Sequence, residues 1–393
     1  MRTHAAVLTL GISAFAVQRL SALVPETVER LYSRGLFPVI ARCLNLVSGL
    51  LPFSLAELTV GGLVLLFATC VAGTVRALRT SRTHRTRPVE SGRAMARPDL
   101  LRQVLVQRGV ILASFVSLVY AGFVVLWGLN YNRLSFSRLA GLETRPATVD
   151  DLAGLCGSLA RTADYLRLQT KEDPHGVMSL NDNTPGALRR AHLGYERVSS
   201  IYPFLGGRYS LPKAVFISSL WSYTGISGMY WPFTGEANVN VAVPESSIPA
   251  AACHEMAHQR GFAREDEANY IAYLVCRLHP DVDFRYSGTL LALDHAMAQL
   301  RARDPRRYAA VRASYSEAVV RDLARVDAFW QAREGTIERF SDRVNDQYLK
   351  ANQQSDGVLS YGRMVDLLLA DYLAQEGAAR PASNTGGSGG VAR

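Results

Sequence analysis

Two stretches of this chain, LTVGGLVLLFATCVAGTV (58–75) and GVILASFVSLVYAGFVVLWGL (109–129), contain no charged residue. A helix without a polar face has no place on the surface of a water-soluble domain. Each stretch approaches or reaches the roughly 20 residues that cross a bilayer core of about 30 Å. A third run, AAVLTLGISAFAVQRLSALV (5–24), carries only Arg19 near its end. Arg2 in front of it and small residues near Ala22 also fit a cleaved leader, so this run has two readings. Three spans are expected, at about 5–24, 57–77 and 109–129. Between the first two, LFPVIARCLNLVSGLLPFSL (36–55) is apolar but broken by Pro38 and Pro52 and holds Arg42 and Asn45. It reads as interfacial or re-entrant.

The charge distribution orients these spans. The net charge is +9, and the stretch from Arg76 to Arg108 holds nine arginines against Glu90 and Asp99. A basic block between two apolar runs reads as a cytoplasmic loop, here 76–108. No aromatic residues interleave its arginines, so nucleic acid is not the expected partner. The lipid bilayer is. Residues 130–393 then lie outside the cytoplasm, in a multi-pass protein of the cytoplasmic membrane. Five scattered cysteines give no disulfide framework. Cys253 and Cys276 read as buried small residues or as one isolated disulfide.

The outer part divides by composition. Thr148 and Asp151 form a capping pair before an amphipathic helix over 148–169, and a second helix is expected over 186–202. KAVFISSLWSYTGISGMYWPFTGEANVNVAV (213–243) is rich in β-branched and aromatic residues and predicts two or three short strands. From 246 the pattern is helical nearly to 376, with a break around 352–358. The Gly- and Ser-rich tail 377–393 reads as disordered.

Chemistry concentrates in PAAACHEMAHQRGFAREDEAN (249–269), which packs two histidines and four acids into one short segment. Ser246 or Ser247 can cap a helix there, with Pro249 in its first turn. His254 and His258 are four apart and share a face, about 5–6 Å from one another. Two such imidazoles can hold one Zn2+ ion. Glu255 sits about 100° round the helix, placed to act as general base toward a water activated by the metal. Gly261 is where the helix ends and the chain turns. A third ligand is then expected from Glu265, Asp266 or Glu267, at the start of the next helix. Peptide bonds are the natural target. Tyr286, Tyr361 and Arg363 are candidates to stabilise the oxyanion, and spacing selects none of them. FTGEANVNV (233–241) reads as an edge strand whose Glu236, Asn238 and Asn240 alternate onto one face, either pairing with an extended peptide or merely blunting the edge.

Several segments carry a resemblance. The H-E-x-x-H segment followed by E-D-E-A-N resembles metallopeptidases of the gluzincin type, in which the first Glu of E-x-x-A-N binds zinc and the Asn supports a ligand histidine. That resemblance implies Glu265 as ligand, with Glu267 as runner-up, and Asn269 behind the site. YSRGLFPVIARCLNLVSGLLPFSLAEL, NYNR, PFTGEANVNV, YSGTLLAL and NDQYLKANQQSDGVLSYGRMVDLLL are similar to the bacterial membrane family called domain of unknown function 3810. The likeness runs to about residue 376 and implies an integral membrane protein with a zincin-like outer domain, without implying a substrate.

The expected fold is α+β. A three-helix membrane region (1–129) carries a mainly helical, zincin-like extracytoplasmic domain with a small sheet (130–376). The expected function is a membrane-anchored zinc metallopeptidase acting on a peptide or protein at the outer surface. A non-catalytic binding or sensor protein on the same scaffold is the alternative, and the presence of Glu255 favours the enzyme.

Overall fold

The computed structural model describes residues 2–83, 97–352, 354 and 363–379. The middle of the arginine-rich loop and the tail from residue 380 onward lie outside the described residues. The described residues are mostly helical with two small sheets. It begins with α1 (Arg2–Ser21), α2 (Pro25–Thr27), a π-helical segment (Val28–Leu36) and α3 (Phe37–Ser48), followed by α4 (Leu55–Thr83) and α5 (Arg97–Leu126). Next come α6 (Phe136–Ala140), α7 (Val149–Arg167), a hairpin of β1 (Lys171–Glu172) and β2 (Met178–Ser179), α8 (Asn183–Arg190) and α9 (His192–Val198). The glycine-punctuated region supplies β3 (Lys213–Ala214), α10 (Ser218–Trp221), β4 (Gly228–Trp231) and β5 (Glu236–Val239). The rest is α11 (Ile248–Gln259), α12 (Glu265–Leu278), α13 (Val282–Arg303), α14 (Pro305–Ala313), α15 (Glu317–Gln331), α16 (Thr336–Ala351) and α17 (Met364–Ala379).

Among the described residues, two helices are long and apolar enough to cross a membrane, over Leu55–Arg76 and Leu105–Leu126. The first run makes a third candidate only if α1 and the segment Pro25–Ser48 count as one span, bent by 107°. α1 lies along α5, where small residues permit close approach. A Cβ added at Gly11 would stand 2.6 Å from that of Ser117.

Local signals formed as the residues dictate. Thr148 and Asp151 make a reciprocal capping box at α7, and Gly261 takes φ 78° after α11, a left-handed turn that favours glycine. The helices α7, α11, α12 and α13 enclose the main core around Cys253, Met256, Ile271, Val275, Phe284 and Leu293. Cys253 and Cys276 are both buried free thiols, so the disulfide reading does not hold.

The N-terminal stretch expected to be interfacial or re-entrant packs into the body that carries α11. Gln259 at the end of α11 donates to Asn45 of α3 (3.3 Å) and to the Gly235 carbonyl (3.1 Å). Arg133, just after α5, makes a buried two-point ion pair with Glu29 at 2.9 and 3.0 Å. Its third nitrogen donates to the Arg260 carbonyl at 3.2 Å, and its guanidinium lies 4.0 Å over the Phe262 ring. One side chain thus ties the π-helical segment to the turn that ends α11. Glu29→Ala leaves that guanidinium buried and unpaired, so it should cost about 3–5 kcal/mol in thermal unfolding of the detergent-solubilised chain. Replacing both partners with Leu should cost less than Glu29→Ala alone.

Candidate metal centre

α11 and α12 meet at a corner set by Gly261, and this corner brings three ligand groups to one point. The Nε2 atoms of His254 and His258 are 3.1 Å apart. Oε2 of Glu265 lies 3.2 Å from the first and 3.7 Å from the second. All three ligand atoms fall within 4.8 Å of one another. His258 is held by its own loop, since its Nδ1–H donates to the Phe262 carbonyl at 2.7 Å. That bond fixes the tautomer and leaves Nε2 with its lone pair free for a cation. Trp127, at the end of α5, donates its indole N–H to the His258 carbonyl at 3.2 Å and sets its ring edge-on to the imidazole. The donor set of two imidazoles and one carboxylate suits zinc. His258 is buried while His254 and Glu265 are part-exposed, so the cluster opens to one side. Among the described residues no fourth His, Cys or acid joins it. Cys253 does not: its side chain is fully buried in the helical core.

Glu255 is the second feature of the site. Its carboxylate is buried between α11 and β4, and its Oε2 has no hydrogen-bond partner. Burial raises its pKa to about 7, against the opposing pull of the two histidines and with a push from Glu265. Burial alone would lower the pKa of His258, but the charge and hydrogen bond of Glu265 outweigh it and the value rises to about 9. Burial would raise Glu265, yet the two imidazoles hold its carboxyl far below the usual carboxylate range. Without a cation His258 and Glu265 therefore form an ion pair, with the carboxyl of Glu255, its pKa raised, beside them.

Gly228 makes room for this carboxylate. A Cβ there would meet Oε1 of Glu255 at 2.4 Å and its Cγ at 2.7 Å. Gly228→Ala should therefore displace Glu255 while leaving both histidines in place. We expect at least about a tenfold drop in any activity that depends on this carboxylate, since misplacement by about an ångström can cost up to a hundredfold. Zinc content measured on the same sample should be unchanged.

Other expected site residues lie elsewhere. Glu267 points away from the histidines: its Oε1 accepts from Phe136 N–H at 2.9 Å and from Arg264 at 3.2 Å. Asn269 is buried one turn along α12 from Glu265, but it bonds neither histidine among the described residues. The supporting role belongs to the Phe262 carbonyl. Tyr286 donates to Asp322 at 2.7 Å in a buried network with Arg167, so its hydroxyl is already committed. Arg363 pairs with Asp266 at 3.3 Å. Tyr361 lies outside the described residues. Instead, Tyr348 of α16 is within electrostatic reach of Glu265, and its hydroxyl is 3.1 Å from that of Tyr131.

The edge-strand expectation for 233–241 is corrected. β5 is the central strand, parallel to β3 on one side and antiparallel to β4 on the other, and β4 is the edge next to Glu255. Glu236, Asn238 and Asn240 do share a face, but they are buried and engaged. Glu236 accepts from the backbone N–H groups of Leu55 (3.1 Å) and Ala56 (2.8 Å), and from Lys213 (2.5 Å). Asn238 accepts from Ser54 at 2.6 Å, and Asn240 donates to the Ile226 carbonyl at 3.0 Å. A carboxylate at a helix N-terminus satisfies orphan donors and complements the helix dipole. This face therefore anchors the start of α4 and is closed to a substrate.

Neither the curated proteins nor the solved structures contain a match to this chain. The family model described as "Protein of unknown function (DUF3810)" matches residues 32–369, and the chain belongs to that family.

Proposed function

We propose that this member of the DUF3810 family is a membrane-anchored, zinc-dependent metallopeptidase of zincin type, hydrolysing peptide bonds outside the cytoplasm. The observation that carries the reading is the convergence of His254, His258 and Glu265 beside the buried, half-satisfied carboxylate of Glu255. His254, His258 and Glu265 would hold the ion. When bound, zinc supplies Lewis acidity that acidifies water and polarises a carbonyl. Glu255, poised near neutrality, takes the proton as water attacks and returns it to the leaving amine. The Phe262 carbonyl and Trp127 keep His258 from turning. β4 is the free sheet edge beside Glu255, the place where an extended peptide can add a strand.

The membrane reading supports this placement. With the arginine-rich loop inside, α4 and α5 cross the cytoplasmic membrane and α1 lies beside α5 as a third segment. The outer end of α5 is bonded to the site through Trp127, and that of α4 to the central strand β5 through Glu236. The partners are then the bilayer and a peptide or protein substrate at its outer surface. The test is cleavage of a mixed peptide library by the purified full-length chain. Cleavage should stop on chelation and return with stoichiometric zinc. A zinc-loaded protein that cleaves nothing in the library would favour the binding or sensor alternative.

A further inference from the structure

α16 is inside out. Ile337, Phe340 and Val344 recur at helical spacing and form one stripe, yet they are 59%, 62% and 52% exposed. The side of the helix that packs inward carries Glu338, Ser341 and Leu349, with Glu338 against the turn at Gly225. A surface helix in water does the reverse. The segment Ser222–Thr224, which packs on α16, follows directly on α10. Phe216 and Leu220, beside and within α10, are 94% and 66% exposed.

The position of this surface says what covers it. The backbone N–H groups of Phe216 and Ile217 donate to Glu57 at 2.9 and 3.1 Å, so α10 is fastened to the outer end of the apolar window of α4. At the other end of α16, the ring of Tyr348 meets that of Phe123 edge-on, with centroids 6.2 Å apart. Phe123 belongs to the apolar window of α5, three residues from its end. α10 and α16 together therefore reach from α4 to α5 at the level where their apolar segments finish. Arg339 and Arg343 flank the stripe, where their guanidinium groups can reach headgroups while the stems stay in apolar surroundings.

We infer that α16, together with Phe216 and Leu220, lies in the outer leaflet of the bilayer as an interfacial helix that floors the metal centre. The inference rests on the reading that α4 and α5 cross the membrane. Arg339, Arg343 and Lys350 balance Glu338, Asp342 and Asp346 along the helix, so insertion requires no anionic lipid.

The experiment uses the full-length chain in phosphatidylcholine vesicles, in a Cys43→Ser/Cys70→Ser background that leaves only buried cysteines. Phe340→Cys, Val344→Cys, Leu65→Cys and Glu317→Cys each receive a fluorophore, and quenching by lipid-borne nitroxide is compared with quenching by aqueous iodide. Labels at 340 and 344 should be quenched by lipid severalfold more than the label at 317, which lies on water-exposed α15. Labels there that match position 317, or that are shielded from both quenchers as a second protein surface would shield them, overturn the inference. The label at 65 reports on α4 alone. If it is lipid-quenched and 340 and 344 are not, only the interfacial helix is wrong. If it is not, the spanning reading falls, and the inference with it.

Discussion

Glu255→Gln should abolish peptide hydrolysis and leave zinc in place. The substitution is isosteric, so Gly228 still accommodates the side chain and the histidines keep their positions. What disappears is the proton acceptor, a loss of about 10²–10⁴ in kcat. The fold should not suffer, because an amide costs less to bury than a carboxylate with an unpartnered oxygen. Zinc content, thermal unfolding and cleavage rate measured on one preparation separate these effects. Wild-type turnover by the variant would remove Glu255 from the chemistry and, with it, the hydrolase assignment.

The paired substitutions Glu265→Ala and Glu267→Ala should behave in opposite ways. Removing Glu265 takes away the carboxylate that closes the ligand set. Even outer-shell partners of metal ligands are worth about 10–100-fold in affinity, so zinc should bind more than about 100-fold more weakly. Removing Glu267 strands the Phe136 N–H and frees Arg264, which should cost about 1–3 kcal/mol of stability while zinc stays bound. Metal analysis and thermal melts read both outcomes. Zinc lost from the Glu267 variant and kept by the Glu265 variant would mean that the chain uses the other face of α12.

The distinction between these two acids shows where sequence reading stops. They stand two apart on one helix, hence about 200° apart around its axis. One of them faces the histidines, and which one depends on how α12 is rotated against α11, a matter of core packing. The supporting bond to His258 comes from a backbone carbonyl, and a carbonyl leaves no trace in a motif of side chains. Asn269 fell on the expected face of α12, but the bond it was expected to make is made by Phe262. Gly228 reads from the sequence as a turn glycine, but it opens β4, where the lack of a side chain leaves room for Glu255.

α16 is the sharper case. Its apolar spacing reads correctly as a helix, and the same spacing would ordinarily be assigned to the core side. Periodicity fixes that a stripe exists, but not which way it turns. The sheet behaves likewise: alternation put Glu236, Asn238 and Asn240 on one face, while the order of strands decided that this face holds α4.

From the sequence alone came the two long apolar helices, the capping box of Thr148 and Asp151, the turn at Gly261 and the shared face of His254 and His258, whereas the expected cap at Ser246 or Ser247 makes no side-chain bond. All of these depend on residues within a few positions of each other, where covalent geometry and helix periodicity leave little choice. The fold alone decided which acid of α12 faces the histidines, which strand is the sheet edge beside Glu255, and the grip of Trp127 and Arg133 on the end of α11. The contacts of Trp127 and Arg133 join residues more than a hundred positions apart, and the rotation of α12 and the strand order, though more local, likewise exist only after the apolar surfaces between the elements have packed.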